Sequence, residues 1–266
     1  MAALRLAPAL VMALLASPGL ASATGCFPVA SAPSPLLHLA GLRTLAAIPA
    51  GATVQLTFLG HSSFLIETAR GVTAVTDYSA YARAPITPDI VTMNNAHDSH
   101  YTDFVDPAVK HTLRGWNPAG GEAQHDVTLE DLRVRNIPTS VHGRSGSQGN
   151  SNSIFVFEAA DLCVAHLGHL HHELTREHLG ELGQIDVLMV PVDGSYTMAQ
   201  DQMARVIETI GAPLVIPMHY FGSSTLARFL THVEATHEVV FAESPTVALS
   251  RATLPAGPRM LVLPGR

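Results

Sequence analysis

Six consecutive residues, Asn95-Ala96-His97-Asp98-Ser99-His100, place two imidazoles three positions apart directly behind the apolar run Asp89-Ile90-Val91-Thr92-Met93. The run reads as a buried strand, and the polar segment as a loop at its end. Histidines at such a place can converge on one centre. Three more follow apolar runs in the same way: His142 after Ile137-Pro138-Thr139-Ser140-Val141, His169 after Val164-Ala165-His166-Leu167-Gly168, and His219 after Leu214 to Met218. In open α/β sheets, chemistry collects where strands hand over to loops at their carboxyl ends. Neutral imidazole is the commonest metal ligand, so five of them so placed point to metal binding. For any one, a hydrogen-bonded loop histidine is about as good a reading; for the set it is a poorer one.

The elements that must position these residues are legible from periodicity. Val54-Gln55-Leu56-Thr57-Phe58 alternates apolar and polar as a half-buried strand does. Gly60-His61-Ser62-Ser63 turns, Phe64-Leu65-Ile66 returns, and Val72-Thr73-Ala74-Val75-Thr76 follows, which together read as a β-meander. Leu113 to Asp126 reads as a polar, Gly-rich excursion. Further strands are expected at Leu132-Arg133-Val134, Ser153 to Phe157, Leu162 to Leu167, Val187 to Val190 and Leu214 to Pro217. Thr175 can cap a short helix ending near Leu182. Thr197 can cap a longer one with Met203, Val206, Ile207 and Ile210 on one face, closed by Gly211. Leu226, Phe229, Leu230 and Val233 mark a third amphipathic helix. Strands first, then alternating strands and helices, indicate an α/β sandwich of two sheets between helical layers.

Composition narrows the function classes. The 266 residues are 47% apolar and only 14% charged, with a net charge of -7, so no basic face is available to neutralise phosphates and nucleic acid is not expected as a partner. Residues 1–23 read as a signal peptide: Arg5, then an apolar stretch to Leu20, then the cleavage-type triplet Ala21-Ser22-Ala23. That stretch is too short and broken for a membrane span. Export to a periplasm or out of the cell is the expectation. Ala23-Thr24-Gly25-Cys26 loosely resembles a lipobox, with Ala23 where Leu is usual, so a lipid anchor is the minority reading. Residues 24–50 read as a linker or arm, and 51–266 as the domain. Cys163, inside Leu162-Cys163-Val164-Ala165, reads as a small buried hydrophobe; a disulfide with Cys26 stays open as the alternative, with nothing in the spacing to favour it.

From about Val54 to His219 the chain resembles the metallo-β-lactamase superfamily of metal-dependent hydrolases, in particular the branch related to ascorbate-6-phosphate lactonases. The resemblance rests on Phe58-Leu59-Gly60-His61-Ser62-Ser63-Phe64-Leu65-Ile66-Glu67, Val141-His142, Asn152-Ser153-Ile154-Phe155, Ala165-His166-Leu167-Gly168 and Pro217-Met218-His219-Tyr220, in matching order. It implies the αββα four-layer metallo-β-lactamase-like sandwich with a metal site along one edge. Carried over by position, the first metal site falls on Asn95, His97 and His142, and the second on Ser99, His100 and His219. His169 stands where the resemblance expects a carboxylate bridging two ions. Asn95, Ser99 and His169 therefore depart from the pattern. An imidazole gives one nitrogen to one metal, so a dinuclear centre is disfavoured and one zinc-like ion is expected. His97, His142 and His169 are its first-choice ligands, with His100 and His219 as outer groups or alternatives. An all-nitrogen set suits Zn2+, copper or nickel better than magnesium or calcium.

Ser99 occupies the position of a nucleophile-orienting carboxylate and cannot itself act as one. Asp193, behind Val190-Pro191-Val192, is the candidate replacement in catalysis, with Asp77 as another; for both, loop capping is the competing role. Arg144, in the Gly-rich segment Gly143 to Asn150, is a candidate for an anionic substrate group. The implied activity is that of an exported hydrolase acting on a small ester, lactone or phosphoester. The alternative is a non-catalytic or metal-binding member of the fold that has lost dinuclear chemistry.

Overall fold

The computed structural model describes Cys26, residues 48–143 and residues 146–265; of residues 142–148 no side chain is described. The expected signal peptide, most of the expected arm, Arg144 and the imidazole of His142 thus lie outside the described residues. Among the described residues no helix is long and apolar enough to cross a membrane.

In chain order the strands are β1 (Val54–Gly60), β2 (Ser63–Thr68), β3 (Thr73–Val75), β4 (Ile90–Met93), β5 (His111–Arg114), β6 (Asp126–Leu129), β7 (Leu132–Gly143), β8 (Gly146–Ala159) and β9 (Leu162–His166). Helix α1 (Arg176–Leu182) leads to β10 (Val187–Pro191), α2 (Gln200–Ile210), β11 (Leu214–Met218) and α3 (Ser223–Leu230). The chain closes with β12 (Glu238–Phe241), β13 (Thr246–Leu249) and β14 (Arg259–Val262). They build a six-stranded sheet in the order β13-β1-β2-β3-β4-β5 and an eight-stranded one in the order β12-β14-β11-β10-β9-β8-β7-β6. The meander read from Val54 to Thr76 is present as antiparallel β1, β2 and β3. From β3 the first sheet turns parallel through β4 and β5, as the second does through β9, β10 and β11.

Alternation along each strand decides which layer a side chain enters. Phe64 and Ile66 of β2, Phe155 and Phe157 of β8, and Val187 and Met189 of β10 meet between the sheets. Their neighbours Ile154, Val156, Leu188 and Val190 face outward, under Met203, Val206 and Ile207 of α2 and Phe229 of α3. On the far side, Leu65 and Val75 are covered by Tyr78, Ala82, Ala84 and Ile86 from the loop after β3. The two sheets form the expected metallo-β-lactamase-like sandwich core. The helical cover lies on the eight-stranded sheet, while a loop supplies part of the cover on the six-stranded one.

Several local expectations are corrected. β5 was not expected and runs into the start of the stretch read as an excursion, because parallel pairing with β4 satisfies its backbone where its own composition gives no strand signal. Thr175 caps α1 through His178 N as expected, but α2 begins at Gln200 with Ala199 at the cap. Thr197 is instead bound by its hydroxyl to Asp193. Gly211 closes α2 at φ 69, a left-handed conformation that glycine adopts without Cβ strain. Cys163 is half of a disulfide with Cys26, with Cα atoms 5.7 Å apart across a separation of 137 residues. The backbone oxygen of Cys26 also accepts from Gln184 N at 3.0 Å. Sequence spacing could not supply that pairing, since it depends on where the fold brings Cys26.

Candidate metal centre

The parallel strands point their carboxyl ends to one edge, where both sheets contribute. Asp77 follows β3, His100 lies on the loop after β4, His169 follows β9, Asp193 follows β10 and His219 follows β11. His61 comes from the tight β1–β2 turn. His61, Asp77 and His219 adopt positive φ values of 54, 43 and 56. Such backbone costs on the order of 1–3 kcal/mol each and persists where surrounding contacts over-determine it. Here the contact is explicit: His219 N donates to His61 O at 2.7 Å, tying the two sheets together beneath the cluster.

The imidazoles of His61, His100 and His219 each offer a ligand atom within 4.8 Å of the others. His100 Nδ1 lies 2.7 Å from Asp77 Oδ2, and His219 Nδ1 lies 3.0 Å from Asp193 Oδ1. A carboxylate only accepts, so each Nδ1 carries a proton, and in the neutral ring each Nε2 presents a lone pair. These two Nε2 atoms are 3.2 Å apart. Two lone pairs at that distance have no hydrogen to share and repel unless a cation sits beside them. His169 Nδ1 approaches the same His100 Nε2 at 3.1 Å. The donor set of His61, His100 and His219 therefore fits a metal ion, with carboxylates behind two of its imidazoles in the usual carboxylate–histidine–metal arrangement.

Burial, reinforced by the neighbouring His219 and His100, lowers the His61 pKa to about 3. Burial and the same kind of neighbours, His100 and His219, lower that of His169 to about 2. Both rings are thus neutral near pH 7, the form that ligates. Burial alone would push the Asp77 carboxyl up, but His100, His166 and the Asn94 N–H outweigh it and hold Asp77 below the ordinary carboxylate range. Asp193 behaves likewise: burial raises it, while His219, Thr197 and the Ser195 N–H lower it further.

His169 is placed by backbone sterics. Gly168 has φ +60, and a Cβ there would fall 2.4 Å from Asn94 Nδ2 and 2.8 Å from Asn152 Oδ1. Asn152 Oδ1 accepts from His169 N at 2.8 Å, while its amide donates to Thr139 Oγ1 at 2.7 Å. His166 is buried and bonded to Ser62 O at 2.7 Å, so it braces the His61 turn from below.

The sequence-based candidates thus divide. His100, His169 and His219 converge. His97 is exposed on the rim, its Nδ1 3.0 Å from Ser99 Oγ and its ring stacked 6.1 Å from that of His169. Ser99 is accordingly a partner of His97. Asn95 spends its amide on Ser151 O at 2.6 Å, in a bridge between the His97 loop and β8. Asp193, expected as a catalytic carboxylate or a loop cap, makes the bonds of a loop cap: it is buried, with His219 and Thr197 on Oδ1 and the N–H groups of Ser195, Tyr196 and Thr197 on Oδ2. Asp77 is equally committed to His100 and to Asn94 N. The expected order of ligands also shifts, since His100 and His219 stand at the middle of the cluster. His61 was missed as a member of the cluster, although Gly60-His61-Ser62-Ser63 carried part of the resemblance and marks a strand-end turn like those behind the other histidines.

The sequence pattern of the beta-lactamase superfamily domain matches residues 55–219, a span that runs from β1 to the last histidine of the cluster. The chain belongs to this superfamily. A UPF0173 metal-dependent hydrolase of Methanospirillum hungatei is 27% identical over 193 residues, covering 63% of this chain and 83% of that protein. A second, from Thermococcus kodakarensis, is 25% identical over 196 residues, covering 63% and 84%. Among solved structures, a metallo-β-lactamase superfamily protein of Thermotoga maritima is similar with a TM-score of 0.60 and 27% identity, over 80% of this chain and all of that one. Every member of the histidine cluster lies inside the matched span.

Proposed function

We propose that this superfamily member is an exported metal-dependent hydrolase of a small ester, lactone or phosphoester, with one Zn2+ held by His61, His100 and His219 and with His169 beside them against His100. The observation that carries the reading is the pair of Nε2 atoms 3.2 Å apart, each backed by a carboxylate on its Nδ1. The names of the relatives as metal-dependent hydrolases support the activity. A bound divalent ion supplies Lewis acidity there, polarising a carbonyl or phosphoryl oxygen and lowering the pKa of a bound water.

This chain's own residues do the positioning. Asp77 and Asp193 fix the tautomer and rotation of His100 and His219, so that both present Nε2 inward. Gly168 and Asn152 set the height of His169. His97, with Ser99 on its Nδ1, leaves its other nitrogen at the exposed rim, where it can exchange a proton with substrate or solvent. The Cys26–Cys163 disulfide supports export, because such bonds persist in oxidising compartments. It also argues against a lipid on Cys26, whose sulfur is already bonded.

The second reading, a metal-binding protein without hydrolase chemistry, draws on Asn95 and Ser99, which are engaged with Ser151 and His97. Elemental analysis of untagged protein, together with ester, lactone, phosphodiester and β-lactam substrates, separates the two. We expect about one zinc per chain and turnover of at least one substrate class. A stoichiometry of two would overturn the mononuclear centre. One zinc with no turnover would favour the second reading, and no metal uptake would overturn both.

A further inference from the structure

Exposed aromatic side chains are costly to leave in water and tend to mark binding surfaces. Of the five large hydrophobic residues most exposed among the described residues, three lie beside His61 and His219, directly or through one another: Tyr81 at 76%, Tyr196 at 63% and Phe221 at 61%. They come from three separate segments, the loops after β3, β10 and β11. The Tyr81 and Phe221 rings lie 5.7 Å and 6.0 Å from that of His61. Phe221 is 5.4 Å from His219 and 5.4 Å from Tyr196, near edge-on to each. Ring contacts therefore run without a break from Tyr196 through Phe221 and His61 to Tyr81, along the His61–His219 side of the cluster.

The platform is tied to the centre by the same atoms that build it. Asp193 Oδ1 receives His219 Nδ1 while its Oδ2 receives the backbone N–H of Tyr196. Phe221 lies two residues beyond His219, whose N–H is anchored on His61 O. A change in the position of the imidazoles would move the aromatic rings with them. Aromatic faces could in principle receive a cation, but a dication held by the adjacent histidines would repel it. A flat, uncharged ring is the group that gains from edge and face contacts without that penalty.

We propose that Tyr81, Tyr196 and Phe221 form a specificity platform that holds an aryl or heteroaryl substituent of the substrate next to the hydrolysable group. The proposal rests on the hydrolase reading for its context, and its test does not need turnover. Binding of acetophenone and of cyclohexyl methyl ketone, a flat ketone and its saturated counterpart, is measured by saturation-transfer NMR on the zinc-loaded full chain. Acetophenone should bind about 5-fold more tightly, and Phe221→Ala and Tyr196→Ala should each reduce that preference below about 2-fold while bound zinc stays unchanged. Equal affinity for the two ketones, or a preference that survives both substitutions, would overturn the platform. Failure of every hydrolysable substrate, with the ketone preference intact, would instead count against hydrolysis alone.

Discussion

At the scale of single residues, the chemistry depends on which nitrogen of each imidazole carries hydrogen. Asp193→Asn keeps the shape of the carboxylate but weakens the hold on His219 Nδ1–H. Losing such an outer partner typically costs 10–100-fold in metal affinity. Chelator competition should show a loss of that order for Asp193→Asn, and a larger one for His100→Ala. The lowered pKa values of His61 and His169 make a second prediction. Unfolded, these rings bind protons below about pH 6.5; folded, they stay neutral until about pH 3 and about pH 2. Between those limits the unfolded chain binds more protons, so stability falls as pH drops. Urea unfolding of the metal-free protein should accordingly show a lower midpoint at pH 5 than at pH 7.5.

At the scale of elements, the site is a property of strand ends rather than of any one motif. Gly168 shows how narrowly the β9 end is specified. Gly168→Ala would put a methyl group against Asn94 and Asn152 in a left-handed conformation, so a cost of about 1–3 kcal/mol is expected from backbone strain. Thermal unfolding would register that cost, and weaker zinc binding would report the displacement of His169. Periodicity made most of these elements readable: β1, β2, β4, β10 and β11 follow directly from apolar runs, and α1 from its Thr175 cap. β5 and the long β7–β8 hairpin were read short or not at all. Their polar residues become strand only because a neighbouring strand takes up their backbone hydrogen bonds.

At the scale of the whole molecule, the disulfide closes a loop of 137 residues and fastens Cys26 against the strand that leads to Gly168 and His169. Removing a disulfide of this kind costs on the order of 2–5 kcal/mol. Unfolding in the presence of a thiol reductant should show that loss, and a Cys26→Ala/Cys163→Ala variant should reproduce it without reductant. The sequence by itself made the class of fold and the strand-end histidines legible, because hydrophobic period and residue type are local quantities, while the expectation of a single, nitrogen-rich centre came from the resemblance. Only the tertiary structure decided the membership and order of the cluster. His61 joins it because the β1–β2 turn folds over His219, and His97 leaves it because its loop turns outward. Asp193 braces His219 and its own loop because its two oxygens accept from His219, Thr197 and the N–H groups of residues 195–197. Convergence of residues up to 158 positions apart, from His61 to His219, is set by how two sheets pack, and no local pattern encodes that.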